Sequence, residues 1–306
     1  MKKNYFLAAI LSFAMISMNA QFTDDMESYT DGTPISEAHW TDWGCGGGAG
    51  CAIMSSSAQA HEGSQSGLIP DDGTTDAVLD LGNQIFGEWG LSFWMYVPSG
   101  QEGYWNLQGT VPIGSGEWAV GNIFFNQDNA NPGVGHIDDS ALGDVTFTFP
   151  HDQWFRVVMN WDITAGISLA TWQFNVDGVD VLPFGTAYTK ADATPPTSLG
   201  GFDFYSINAG TNLYWLDTFE FKNEYFTLGT QDLDAKGFDA YKDRNNILHL
   251  SANETINNVA IYNMLGQEVY RSASNVSSVD MSSYANGTYI VKVNVNGTEG
   301  SIKVIR

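Results

Sequence analysis

Hydrolysis of a glycosidic bond is served by two carboxylates roughly 5 to 9.5 Å apart on either side of it, so the acids of this chain are the first residues to weigh. Asp217 and Glu220 lie together in Tyr214-Trp215-Leu216-Asp217-Thr218-Phe219-Glu220-Phe221. Their odd separation on a regular strand turns them to opposite faces. Glu117 stands alone before Trp118, and Asp203 alone between Phe202 and Phe204. The five histidines, at 39, 61, 136, 151 and 249, are scattered without metalloprotease spacing, and no nucleophile elbow is present. His136 with Asp138 and Asp139 reads as a polar loop. No residue set specifies a reaction, which favours a non-catalytic protein over an enzyme.

Binding chemistry is better represented. Sugar rings present apolar C–H faces rimmed with hydroxyls, which suit flat aromatics beside amides and a guanidinium. Trp94 and Tyr96 share a strand face with Ser92; Tyr104 and Asn106 share another with Gln108; Trp118 lies with Asn122, Arg156 with Asn160, and Gln173 with Thr171. These are candidate contacts to a poly- or oligosaccharide, with ordinary sandwich packing as the alternative. Alternation also puts Asp217 in a core-facing row with Leu213, Trp215, Phe219 and Phe221. A carboxylate there needs a partner, either a hard cation or backbone N–H donors.

The elements that must position these residues are strands. From Phe22 onward short alternating runs are broken by Gly, Pro, Asn and Asp, and helical period is almost nowhere sustained. The pattern predicts an all-β protein with strands at Ala77 to Leu81, Leu91 to Val97, Gly103 to Gln108, Trp118 to Phe125, Val145 to Phe149, Trp154 to Trp161, Ser168 to Val176, Phe202 to Ile207 and Leu213 to Phe221. Nine or more strands imply two stacked sheets. Asp177-Gly178 is a hairpin turn between Val176 and Val179. All ten tryptophans precede the acidic segment Gly229 to Asp239, so a domain boundary is placed near Thr230. Beyond it, turns at Asn286-Gly287 and Asn296-Gly297 flank the alternation of Tyr289, Val291, Val293 and Val295.

Lys2 and Lys3, an apolar run from Tyr5 to Ile16, and Met18-Asn19-Ala20 before Gln21 match a secretory signal peptide over residues 1–20. That run is too short to span a bilayer, and no later segment is apolar enough for a stable membrane span. Removing it takes the formal charge from -23 to -25, with 10 basic against 35 acidic residues. Such a balance argues against nucleic acid and anionic lipid as partners. It keeps an exported chain soluble, and a minority of its acids suits calcium. Cys45 and Cys51 bracket GGGAG, and in an exported chain a disulfide is the default. Loop entropy gives so small a ring about 2 kcal/mol. Two cysteines cannot complete a structural zinc site without nearby histidines.

The tail from about residue 230 to 306 resembles the C-terminal sorting domain of Bacteroidetes proteins exported by the type IX secretion system. The resemblance is carried by Val259-Ala260-Ile261-Tyr262-Asn263-Met264-Leu265-Gly266-Gln267-Glu268-Val269, by Val279-Asp280-Met281-Ser282, by Gly287-Thr288-Tyr289-Ile290-Val291-Lys292-Val293 and by Lys303-Val304-Ile305. Two places depart from it. The family's Tyr-Pro-Asn-Pro opening is replaced by Asp239-Ala240-Tyr241-Lys242-Asp243, and the chain ends in Arg306 instead of lysine. The resemblance implies a small immunoglobulin-like sandwich, the type IX secretion machinery as partner, and a secreted or cell-surface location.

Over residues 21–229, Asp24-Asp25-Met26-Glu27 and the Tyr214 to Phe221 run resemble the first and last strands of concanavalin A-like jelly rolls, the fold of laminarinase-like enzymes and laminin G-like modules. By that resemblance a structural calcium would be held by Asp25, Asp217 and the backbone carbonyl of Gly63. Laminarinase-like enzymes place their acids as Glu-x-Asp-x-x-Glu, which this chain lacks. The resemblance therefore implies a lectin-like glycan-binding body, with a polysaccharide hydrolase or lyase, or a structural adhesive protein, as alternatives.

Overall fold

The computed structural model describes residues 21–113, 121–190, 193–226, 233, 237–273, 275–296 and 298–306. The signal-peptide segment, Trp118, Glu117, Thr230 and Gly297 lie outside them. Strands carry nearly all of the regular structure, and no helix among the described residues is long and apolar enough to cross a membrane.

The body is a jelly-roll sandwich of two antiparallel sheets. One is ordered β13 (Val179–Ala187), β12 (Thr171–Val176), β11 (Trp154–Asp162), β6 (Glu88–Tyr96), β15 (Tyr214–Lys222), β4 (Ser66–Ile69) and β3 (Met54–Ser56). The eighth strand, β1 (Phe22–Asp24), pairs with the far half of β15, so the first and last strands of the body lie side by side. The second sheet is ordered β10 (Gly143–Thr148), β9 (Val134–Ser140), β8 (Ile123–Phe125), β7 (Gly103–Gln108), β14 (Leu199–Tyr205), β5 (Asp76–Gln84) and β2 (Trp40–Asp42).

Alternation sends one row of each strand into a single core. Phe93, Met95, Trp105, Phe125, Phe155, Trp161, Trp172, Phe202, Phe204 and Phe219 are buried there together, in edge-on contacts such as Phe93 on Phe204 at 5.7 Å and stacked ones such as Phe93 on Phe219 at 5.2 Å. Such ring pairs add to area burial by about 0.5–1.5 kcal/mol each. The β12–β13 hairpin turns on Asp177 and Gly178, both at positive φ (50° and 83°), as a two-residue primed turn requires.

His136, Asp138 and Asp139 are not in a loop: they lie within β9, which the sequence pattern hides because Gly135 interrupts it. That glycine is needed, since a Cβ there would sit 2.1 Å from Phe147.

The tail forms two small sheets, one of β16 (Asp239–Lys242), β17 (Ile247–Ser251) and β20 (Ser278–Asp280), the other of β19 (Glu268–Ser272), β18 (Ile256–Asn263), β21 (Thr288–Val295) and β22 (Thr298–Ile305). They close an immunoglobulin-like sandwich over a second core that includes Leu248, Leu250, Val259, Ile261, Val291 and Val293. Gly287 and Arg306 exchange both backbone hydrogen bonds, 3.0 and 2.9 Å, which ties the chain end to the start of β21.

Candidate functional site

Where Phe155, Met95 and Leu216 point inward, their strand neighbours must point outward, and registry lines these up across five strands. Trp154 pairs with Tyr96, Tyr96 with Trp215, Trp215 with Leu68, and Leu68 with Met54. Strand spacing of about 4.8 Å makes this apolar row about 19 Å long. Trp154, Tyr96, Leu68 and Met54 are half-buried, and Trp215 is buried. The rings brace one another, Tyr96 to Trp154 at 5.6 Å and Tyr96 to Trp215 at 5.9 Å, and the Trp215 indole donates to Ser56 Oγ at 3.4 Å.

At its β3 end the row enters a cleft of about 500 Å³ whose lining includes Asp31, Met54, Ser56, Leu68, Pro70 and Asp72. Ala49 and Gly50 of the loop closed by the Cys45–Cys51 disulfide contribute one wall. Asp42 holds the start of that loop by accepting the backbone N–H of Gly44 and Cys45 at 2.7 and 2.6 Å.

The adjacent row places Arg156, Trp94 and Asp217 side by side. Here the expected register fails. A bulge between Asp217 and Glu220, with Thr218 at φ 51°, reverses the alternation. Asp217 and Trp215 therefore share the outer face, while Phe219 and Phe221 turn into the core. The same bulge puts Glu220, opposite Ser92, on the face of Asp217, so the two acids do not point to opposite sides. Access still argues against their use as a catalytic pair, because Asp217 is fully buried.

The Asp217 carboxylate accepts from His61 N at 2.7 Å, Glu62 N at 3.4 Å, Thr218 N at 2.6 Å and Thr218 Oγ1 at 3.3 Å. Burial outweighs these bonds and pushes its pKa up to about 6. His61, carried on the same loop, stacks on Trp94 at 3.9 Å. The other two expected calcium ligands, Asp25 and Gly63, both lie beside Glu27. Asp25 accepts the Glu27 N–H at 3.2 Å, and Gly63 packs against Glu27, whose carboxylate takes Ser64 and Gln65 N–H at 2.8 and 2.9 Å. Among the described residues no group of three or more His, Cys, Asp or Glu is placed to hold a metal ion.

The far half of this face is occupied by the chain itself. Asn160 donates to Phe226 O at 3.0 Å and accepts Phe226 N–H at 2.7 Å, and its amide also donates to Gln173 at 2.8 Å. Arg156 Nε donates to Ser92 Oγ at 2.8 Å, with its guanidinium 5.5 Å from the Phe226 ring. Asn160 and Arg156 thus hold Phe226, and Gln173 braces Asn160.

Tyr104 and Asn106 lie on the opposite side of the sandwich, on the outer face of the seven-stranded sheet. Asn106 donates to Tyr104 Oη at 3.0 Å and to Asp203 at 2.8 Å, and Tyr104 donates to Asn122 at 2.6 Å. Asp203 is not alone there. Its carboxyl meets that of Asp76, and burial pushes both pKa values up, Asp203 further. Carboxyls in direct contact are too close for either glycosidase geometry.

The expected sugar contacts therefore divide between two opposite faces and cannot form one site. Trp94 and Tyr96 flank the row, Arg156 and Gln173 are engaged structurally, Tyr104 and Asn106 are on the other sheet, and Trp118 is outside the described residues. Trp154, Leu68 and Met54 carry no signal of a site in the sequence, alternation turns Trp215 to the core there, and Asp76 does not stand out. Only strand registry brings the first four beside Tyr96, and registry leaves no local mark in the sequence.

Residues 244–306 match the family described as the secretion system C-terminal sorting domain. The tail is thus a type IX sorting domain, and the protein is secreted or held at the cell surface. No curated protein matches the chain. Among solved structures, it is similar to the binding domain of Paraclostridial Mosquitocidal Protein 1 at 9% identity and TM-score 0.38, covering 83% of this chain and 68% of that one. It is similar also to the catalytic domain of the glycoside hydrolase family 131 protein from Coprinopsis cinerea, at 13% and 0.36, covering 54% and 72%. Alginate lyase vAL-1 from Chlorella virus is similar at 14% and 0.34, covering 56% and 89%.

Proposed function

We propose that the body is a non-catalytic carbohydrate-binding module, carried out of the cell by the sorting domain. The observation that carries this reading is the outer-face row of Trp154, Tyr96, Trp215, Leu68 and Met54. An apolar strip bounded by polar groups matches the alternation of C–H faces and hydroxyls along a sugar chain. The cleft at its end supplies hydroxyl and carboxylate acceptors from Ser56, Asp31 and Asp72.

Titration calorimetry of the mature protein against a panel of oligosaccharides, with a parallel assay for released products, tests this. Saturable binding without turnover is expected, weakened about tenfold or more in Y96A and W154A. Failure to bind any glycan sinks the reading, and turnover abolished by mutating a carboxylate replaces it with a hydrolase or lyase. A structural calcium shared by Asp25, Gly63 and Asp217 is a separate proposal, supported by the burial of Asp217. It predicts a higher melting temperature in calcium than in chelator, and equal values would remove it.

A further inference from the structure

We propose that the glycan taken by this face is uncharged, and that uronate-containing and sulfated chains are excluded. The inference rests on the carbohydrate-binding reading above and deepens it. Between residues 21 and 226 the chain carries only three cationic side chains, Arg156, Lys190 and Lys222. Each is engaged within the fold. Lys190 pairs with Asp139 at 2.7 Å, and Lys222 lies 3.2 Å from Glu224, 3.6 Å from Glu220 and 4.0 Å from the centre of the Phe226 ring. Arg156 is buried between Ser92 and Phe226.

The charged groups at the two ends of the row are anionic. Asp31 and Asp72 line the cleft. Asp31 is held ionised by the Ser57 hydroxyl and N–H, at 2.7 and 2.8 Å. For Asp72 burial pulls the other way, but Thr75 and Thr74 N–H, both at 2.8 Å, prevail and lower its pKa. At the opposite end Asp152, whose N–H donates to Val97 O at 3.1 Å beside Tyr96, accepts the Ser99 hydroxyl and, at 2.8 Å, the Ser99 N–H, which lower its pKa. A polyanionic chain along the row would meet carboxylates at both ends with no unengaged cation to offset them. Like charges in such a setting repel at contact and steer the ligand away at longer range. An uncharged chain incurs neither cost, and the serine hydroxyls and carboxylates of the cleft accept its hydroxyl protons.

The experiment is calorimetric titration of the mature protein with laminarihexaose, mannohexaose and N-acetylchitohexaose on one side, and an alginate hexamer and a sulfated heparin hexasaccharide on the other, each at low and high salt. Expected is saturable binding of at least one uncharged probe, changing by no more than about twofold with salt, lost in Y96A, and no binding of either anionic probe. Binding of an anionic probe that weakens in Y96A overturns the inference while leaving the carbohydrate-binding reading intact. Binding of none of the five overturns both. Binding of an uncharged probe that survives unchanged in both Y96A and W154A refutes the assignment to this face.

Discussion

Burial holds the Asp217 carboxyl at about pKa 6 although four donors pull the other way, against an ordinary value of 3.8. The folded protein therefore keeps a proton at this position between about pH 4 and 6 that the unfolded chain has released. Its contribution to stability is complete below about pH 4 and is lost as pH rises through 6. Two pKa units correspond to about 3 kcal/mol. Denaturant titrations at pH 4 and pH 7 should show D217N gaining about 2–3 kcal/mol on the wild type between the two pH values. A difference between the proteins that does not change with pH would show that Asp217 does not titrate in this range. That Asp217 stands out among aromatic neighbours is plain in the sequence. Its outward direction is not, because an alternation rule assumes an unbroken strand.

The break is an element-scale feature. Thr218, at φ 51°, supplies the extra residue that lets Trp215 and Asp217 face outward while Phe219 and Phe221 face the core. Deleting Thr218 should restore simple alternation and force one of these pairs to the wrong side. The expected outcome is loss of a cooperative thermal transition, followed by circular dichroism. The hairpin at Gly178 allows a milder test, since a Cβ there meets nothing within 4 Å and only its φ of 83° resists substitution. G178A should cost about 1–2 kcal/mol in chemical denaturation. Strands with clean alternation, such as Gly103–Gln108, were legible to the residue. Short edge strands such as Met54–Ser56, and β9 with its glycine, were not, since pairing and close packing hold them instead of pattern.

At the scale of the molecule, two cores divide the labour. The aromatic core organises the body, and a smaller aliphatic one organises the sorting domain. Deleting residues 244–306 should leave the protein inside the cell envelope, seen by immunoblotting of cell fractions and medium. Unchanged appearance in the medium would contradict the sorting role. The address was readable from Val259 to Ile305 because its signal is a local order of residues. The candidate site was readable only in part: Tyr96 is visible as an outward aromatic, but its partners come from strands far apart in sequence, and no spacing encodes which strands become neighbours.

Asn160 lies on β11, with β12 on one side and β6 on the other, and grips the backbone of Phe226 from both directions. Phe226 follows β15, the last strand of the body, by four residues. Traction on the tail, during export or while the protein is tethered, is then delivered to an interior strand, where ladders on both flanks share the load. Load entering there reaches β11 through Asn160 and β15 through the chain itself, both interior strands of the sheet.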